Sequence, residues 1–151
     1  MRKYCLAFLV VVLAGCGGSL SGREDATTNF SSSAEIQAAL NKAGLGCTAY
    51  QTVSQADREW GAQSAADVGK CDLENENIKM TIWKDKGQKD NWIDMAKKFG
   101  CEMAKASGVS SYDFVDGGLW TVSDTSQTLA KKISDAVGGK PVHIDCGQGQ
   151  S

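Results

Sequence analysis

Six cysteines, one histidine and eighteen carboxylate side chains are the groups in this chain of 151 residues that could ligate a metal, move a proton or attack a substrate. The cysteines stand at 5, 16, 47, 71, 101 and 146, and no two make the C-x-x-C spacing of a zinc ribbon or a thioredoxin-like redox pair. The histidine, His143, has no second imidazole with which to share a zinc ion. As a general base it needs an orienting carboxylate and a nucleophile, and only Asp145, two residues along the same strand face, is visibly close. A strand histidine at or near the surface is the plainer reading. Asp72, Glu74 and Glu76 alternate as one strand face does but lack the glycine and spacing of a calcium loop, so they read as solvated edge charges. There is no G-x-S-x-G, and Gly147-x-Gly149 precedes no helix that could hold a phosphate. These observations predict a non-catalytic protein with no metal and no cofactor.

The composition is that of one ordinary globular domain: 42% hydrophobic, 23% charged, 17 Gly and one Pro. The formal charge is −2, and loss of Arg2 and Lys3 makes the remainder more acidic, so nucleic acid is not an expected partner.

The N-terminus has the layout of a secretory signal: basic Arg2 and Lys3, an apolar run from Tyr4 to Ala14, then small residues. That run is too short to span a bilayer. It ends in Leu13-Ala14-Gly15-Cys16, which resembles the lipobox of bacterial lipoproteins. The resemblance implies cleavage before Cys16, diacylglycerol on its thiol, and a protein exported and held by lipid at the extracytoplasmic face of the cell membrane. The plainer alternative is an ordinary signal peptide cut nearby, leaving Cys16 as an unexplained thiol. Acyl chains contribute roughly 0.8 kcal/mol per buried methylene, so two or three of them anchor far more firmly than one. Gly17 to Ser32 is rich in Gly, Ser and Thr without periodicity and reads as a flexible tether of roughly 20 to 25 Å span, part of which could dock through Phe30. The organisation expected is thus a leader over 1–15, the lipidated cysteine and tether over 16–32, and one domain over 33–151.

Within the domain, Ser32 and Glu35 form a capping-box pattern ahead of Ile36, Ala39, Leu40 and Ala43, predicting a helix over 33–43. Strands are expected at 47–53, 71–74 and 78–83, the last two joined by Asn75-Glu76-Asn77. The stretch 54–70 reads as a polar connection and the mixed-sign run 84–90 as a solvated loop. A second helix over 89–106 aligns Trp92, Met95, Ala96, Phe99, Met103 and Ala106 on one face. Two strand-like runs follow around Asp116-Gly117-Gly118, then a third helix over 125–137 and a last strand over 142–146 entered from Pro141. This order predicts an α+β fold: a mainly antiparallel sheet with about three helices packed on one face, stapled by disulfides.

With Cys5 in the leader and Cys16 acylated, the domain keeps Cys47, Cys71, Cys101 and Cys146, an even set that signals disulfides in an exported protein. Of three possible connectivities, placement favours two particular pairs. Cys47 and Cys71 begin neighbouring strands. Cys101 lies on the polar side of the second helix, where a partner near the chain end, Cys146, can reach it.

Alternation sends Ile78, Met80 and Ile82 to one sheet face and Lys79, Thr81 and Trp83 to the other. Tyr112, Phe114 and Leu119 likewise oppose Val115, Trp120 and Val122. If all helices lie on one side, Trp83, Tyr112, Phe114 and Leu119 form a candidate partner-binding face. Otherwise the sheet curls, or the tether or the 54–70 loop covers that face, with Trp60 as its anchor. The run GLWTVSD, an amphipathic helix, Gly138-Gly139 and a cysteine-bearing terminal strand are similar to small envelope lipoproteins of actinobacteria and their phages that have no assigned function. The leading expectation is a lipid-anchored envelope protein whose domain binds another protein at the membrane surface, with exclusion of superinfecting phage as its form if a prophage encodes it. The alternative is binding of a small molecule or cell-wall fragment in a cleft between the sheet and the 54–70 loop. Intact mass of the membrane-extracted protein checks the compartment: a chain starting at acylated Cys16 is expected, with four thiols alkylated only after reduction.

Overall fold

The computed structural model describes residues 28–59 and 61–147; the leader, Cys16, most of the expected tether, Trp60 and the last four residues lie outside the described residues. In chain order the elements are α1 (Ser33–Lys42), β1 (Thr48–Thr52), a short helical turn (Gln55–Asp57), β2 (Asp67–Leu73), β3 (Glu76–Ile82), α2 (Lys86–Ala106), β4 (Ser111–Asp116), β5 (Trp120–Thr125), α3 (Gln127–Val137) and β6 (Lys140–Asp145). The six strands form one antiparallel sheet in the order β1-β2-β3-β5-β4-β6. The expected α+β class, the antiparallel sheet, the three helices and the two disulfides are all present.

Helix starts follow local chemistry. Ser32, Asp85 and Ser126 each accept a backbone N–H from three residues on, capping α1, α2 and α3 in turn. Asp85 therefore begins α2 inside the run read as a solvated loop. β2 also starts earlier than its cysteine suggested, because Asp67-Val68-Gly69-Lys70 has the composition of a loop yet lies between β1 and β3. Gly69 is required there: a Cβ would stand 2.6 Å from the Ser33 hydroxyl and 2.7 Å from the Tyr50 ring. The hairpin turn is Glu74-Asn75, one residue earlier than expected, with both residues at positive φ as a two-residue turn of this hand demands. On edge strand β1, Ala49 has φ +51 and the register shifts between Thr48 and Gln51.

One sheet face meets α1 and α3. Ile78, Met80, Ile82, Val115, Trp120 and Val122 pack there with Ile36 and Leu40 of α1 and Leu129, Ile133 and Val137 of α3. Each such fully buried aliphatic side chain contributes about 1.5–3 kcal/mol. The end of the expected tether docks on this face: the Phe30 ring meets Trp120 edge-on at 5.4 Å, and the Trp120 indole N–H donates to the Thr28 carbonyl at 2.7 Å.

The helices do not all share that face. α2 crosses the opposite one, where Trp92 lies 5.2 Å from Phe114 and 5.6 Å from Trp83 between ring centroids. The stripe that α2 buries is also rotated from the expected one. Ala96, Gly100 and Ala104 are buried, whereas Met103 is 55% exposed. The reason is volume: beyond Trp92 the Tyr112 ring stands directly under the helix, and only small side chains fit above it. At Gly100 an added Cβ would stand 2.8 Å from the Tyr112 ring.

Two links fix α2 in place. The buried Lys89 ammonium donates to the Asp116 carboxylate at 2.6 Å and to the Gly117 carbonyl at 2.7 Å, tying the first turns to the β4–β5 hairpin. Farther along, Cys101 is bonded to Cys146 beyond β6, with Cα atoms 5.1 Å apart, and Cys47 to Cys71 at 5.7 Å closes β1 onto β2. Both pairs are those that placement favoured. Gly100→Val is expected to destabilise the fold by about 2 kcal/mol, since neither the helix nor the ring can yield freely. Gly46→Ala, with nothing near the new methyl group, is expected to stay within about 0.5 kcal/mol. Urea denaturation midpoints of the two variants check the contrast.

Candidate functional site

The face proposed from the sequence as open is closed. Trp83 is 2% exposed and Phe114 is fully buried: Trp92 of α2 packs on both rings, and Ala62 and Ala65 of the loop before β2, with Val68, also enclose Trp83. Trp83 donates its indole N–H to the Thr121 hydroxyl at 3.2 Å, and its backbone N–H bonds the Leu119 carbonyl. Tyr112 and Phe114 are neighbours at 6.1 Å, so these residues are brought together as expected, but under a helix rather than at a surface. Leu119 stays partly exposed in the β4–β5 turn.

Between α2, the sheet and the loop before β2 lies a cleft of about 700 Å³. Trp92, Met103 and Ala104 of α2 wall it on one side and Glu59 and Ala62 of the preceding loop on another. Its floor comes from the central strands: Lys79 and Thr81 of β3, Ser123 of β5 and Tyr112 of β4. Lys79 and Ser123 are cross-strand partners, as are Thr81 and Thr121. All four are buried polar residues on the face that holds Trp83 and Phe114. Burying such groups costs free energy unless they are paired, and a fold needing only stability would place aliphatic side chains there.

Electrostatics within the cleft centre on Lys79. Its ammonium pairs with Glu59 and, at 3.2 Å, with Asp124. Burial by itself would lower the Lys79 pKa, but the charge of Asp124 and the bond to Glu59 reverse this and hold it above the usual lysine value. The hydrogen bond from Lys79 in turn holds Glu59 below the ordinary carboxylate range, against the opposing effect of burial. Burial, then the nearby Asp124 charge, pushes the Tyr112 hydroxyl up, so it is a neutral donor at physiological pH.

A second cleft, of about 510 Å³, lies on the α3 side and contains His143. The carboxylate beside this imidazole is Asp113, its cross-strand neighbour in β4, and not Asp145: Nδ1 lies 2.7 Å from Asp113 Oδ1, and Ser111 donates to Asp113 Oδ2 at 2.7 Å. Thr128 and Lys131 of α3 line the same cleft. The acids of the β2–β3 hairpin do not converge: Glu74 pairs with Lys132 at 2.7 Å, and Glu76 accepts from the Ser126 backbone and hydroxyl. Among the described residues, no cluster of three His, Cys, Asp or Glu is placed to hold a metal, and no helix is long and apolar enough to cross a membrane.

Sequence reading passed over Lys79, Ser123, Asp124 and Glu59 as site residues. The available signal was the polar pairing of Lys79 and Thr81 with Ser123 and Thr121 on an aromatic face, which becomes visible once β3 and β5 are known to be neighbours. Because the folded pKa of Glu59 lies below its ordinary value of 4.5, its contribution to stability is complete above that value and is lost as pH falls through the folded pKa. Glu59→Gln is therefore expected to melt below the native chain near neutrality and to converge with it in acid. The gap stays within about 1 kcal/mol because Glu59 is more than half exposed. Thermal melts from pH 7 to 3 check it, and a gap constant into acid would contradict the assignment. Comparison with protein-family models, with curated proteins and with solved structures finds no match to this chain, and the functional reading rests on the cleft and its chemistry.

Proposed function

We propose that this chain is an exported, lipid-anchored binding protein that holds a small amphipathic molecule in the cleft between α2, the sheet and the 59–62 loop. The observation that carries the reading is the buried polar floor, Lys79, Thr81 and Ser123, beneath a 700 Å³ space with apolar walls. That combination is characteristic of ligand sites: an apolar lining buries the body of the ligand and a few placed polar groups orient it. The exposed Met103 and Val109 at the mouth extend the apolar surface outward. Export and anchoring through Cys16 rest on the lipobox-like Leu13-Ala14-Gly15-Cys16, and the two disulfides suit an oxidising compartment.

A protein partner at the membrane surface is the second reading, and the apolar mouth favours it by offering a seat for a partner's side chain. Trp83 and Phe114 take no part in such a contact, because both rings are buried. The role assigned is binding without turnover, and His143, held by Asp113, lies in the other cleft.

Ser123→Phe places a ring on the floor of the cleft and tests the reading. Native protein extracted from membranes is expected to release a co-purifying small molecule on denaturation, detected by mass spectrometry. The variant is expected to lose it while keeping a cooperative thermal transition. Equal recovery from both proteins would place the ligand elsewhere.

A further inference from the structure

Charge around the cleft is uneven. Its lining contributes four carboxylates, Glu59, Glu76, Asp113 and Asp124, and one ammonium, Lys79. Glu76 is engaged by the backbone N–H and hydroxyl of Ser126 at the start of α3 (2.6 and 2.7 Å), and Asp113 by His143 and Ser111. The other groups form a chain of alternating sign: Lys70 to Glu59 at 3.4 Å, Glu59 to Lys79, and Lys79 to Asp124 at 3.2 Å. The chain ends on Asp124, whose side chain is 43% exposed.

Asp124 reaches the cleft by a backbone irregularity. Ser123 and Asp124 are consecutive, and in a regular strand their side chains would point to opposite faces. Asp124 has φ +62, the left-handed region that L residues rarely adopt, and both residues line the cleft. The departure brings the carboxylate to Lys79 and leaves the remainder of its surface toward the open space.

We propose that the cleft selects a cationic amphiphile: a protonated amine seated on Asp124 at the end of the charge chain, with an aromatic or aliphatic body lying along Trp92, Met103 and Val109. This rests on the ligand-binding reading of the same cleft. A ligand cation extends the alternation of sign by one member, whereas a ligand anion meets a terminal carboxylate with acidic neighbours. The apolar walls, Trp92 and Met103 among them, supply contact for the body.

Three ligands of one shape test it: 4-phenylbutylamine, 4-phenylbutan-1-ol and 4-phenylbutyrate, titrated calorimetrically at pH 7 and low salt into the full chain in nanodiscs, with empty nanodiscs as blanks. The amine is expected to bind about tenfold or more tightly than the acid, with the alcohol between them. Asp124→Asn preserves shape, and Asn tolerates the left-handed backbone. It is expected to weaken the amine about tenfold and leave the alcohol within about twofold. If this variant loses its thermal transition, Glu59→Gln takes its place, with a smaller selective loss for the amine. Equal or tighter binding of the acid, or a substitution that weakens all three ligands alike, overturns the charge selection and leaves the cleft a ligand site. Failure of all three to bind the native chain overturns the cleft reading itself.

Discussion

The arrangement depends on one contact surface, that between α2 and the aromatic face of the sheet. Trp83, Phe114 and Tyr112 would otherwise be a large apolar area in water, and the helix covers them with a stripe of Ala96, Gly100 and Ala104. Close approach is possible only because these residues are small, and the Lys89 bonds and the Cys101–Cys146 disulfide hold the helix at that distance. On the opposite face α1 and α3 supply the longer aliphatic side chains of Ile36, Leu40, Leu129 and Ile133, which pack with Met80, Val122 and Trp120.

The cleft follows from the same contact. Trp92 closes the space over Trp83 and Phe114, and the small Gly100 and Ala104 take the buried positions farther along α2. There the underlying strands switch from aromatic to polar, with Lys79 beside Ser123. Loop, helix and sheet thus enclose a volume whose walls are apolar and whose floor is polar. Stability and binding share side chains as well as a scaffold: Trp92, Ala104 and Tyr112 pack helix against sheet and also line the cleft beside Lys79 and Ser123.

Legibility in the sequence followed the range of the interaction. The helix cap at Ser32, strand alternation in Ile78-Lys79-Met80, and even the two disulfide pairs were readable, because each depends on near neighbours or on where in its element a cysteine stands. Which side of the sheet α2 takes was not readable. Of its periodic stripe Trp92, Met95, Ala96, Phe99, Met103 and Ala106, the structure buries Ala96, and the choice of Gly100 and Ala104 beside it depends on rings of other elements. The same holds for the cleft. Lys79 and Ser123 become partners only through the β3–β5 pairing across an intervening helix and strand, and Asp124 joins them only through a positive φ that composition does not announce. His143 was assigned Asp145 along its own strand, while the geometry gives it Asp113 from the next.

The sheet is open, with β1 and β6 as edges, and such edges can template the addition of further strands from neighbouring molecules. Both are blunted. On β1, Ala49 in a left-handed conformation and the accompanying register shift interrupt the even row of donors and acceptors another chain would need. On β6, Pro141 removes one donor from the row. Crowded copies of this domain therefore lack a continuous edge through which to grow into larger aggregates, and resistance to self-association is built into the backbone rather than left to surface charge.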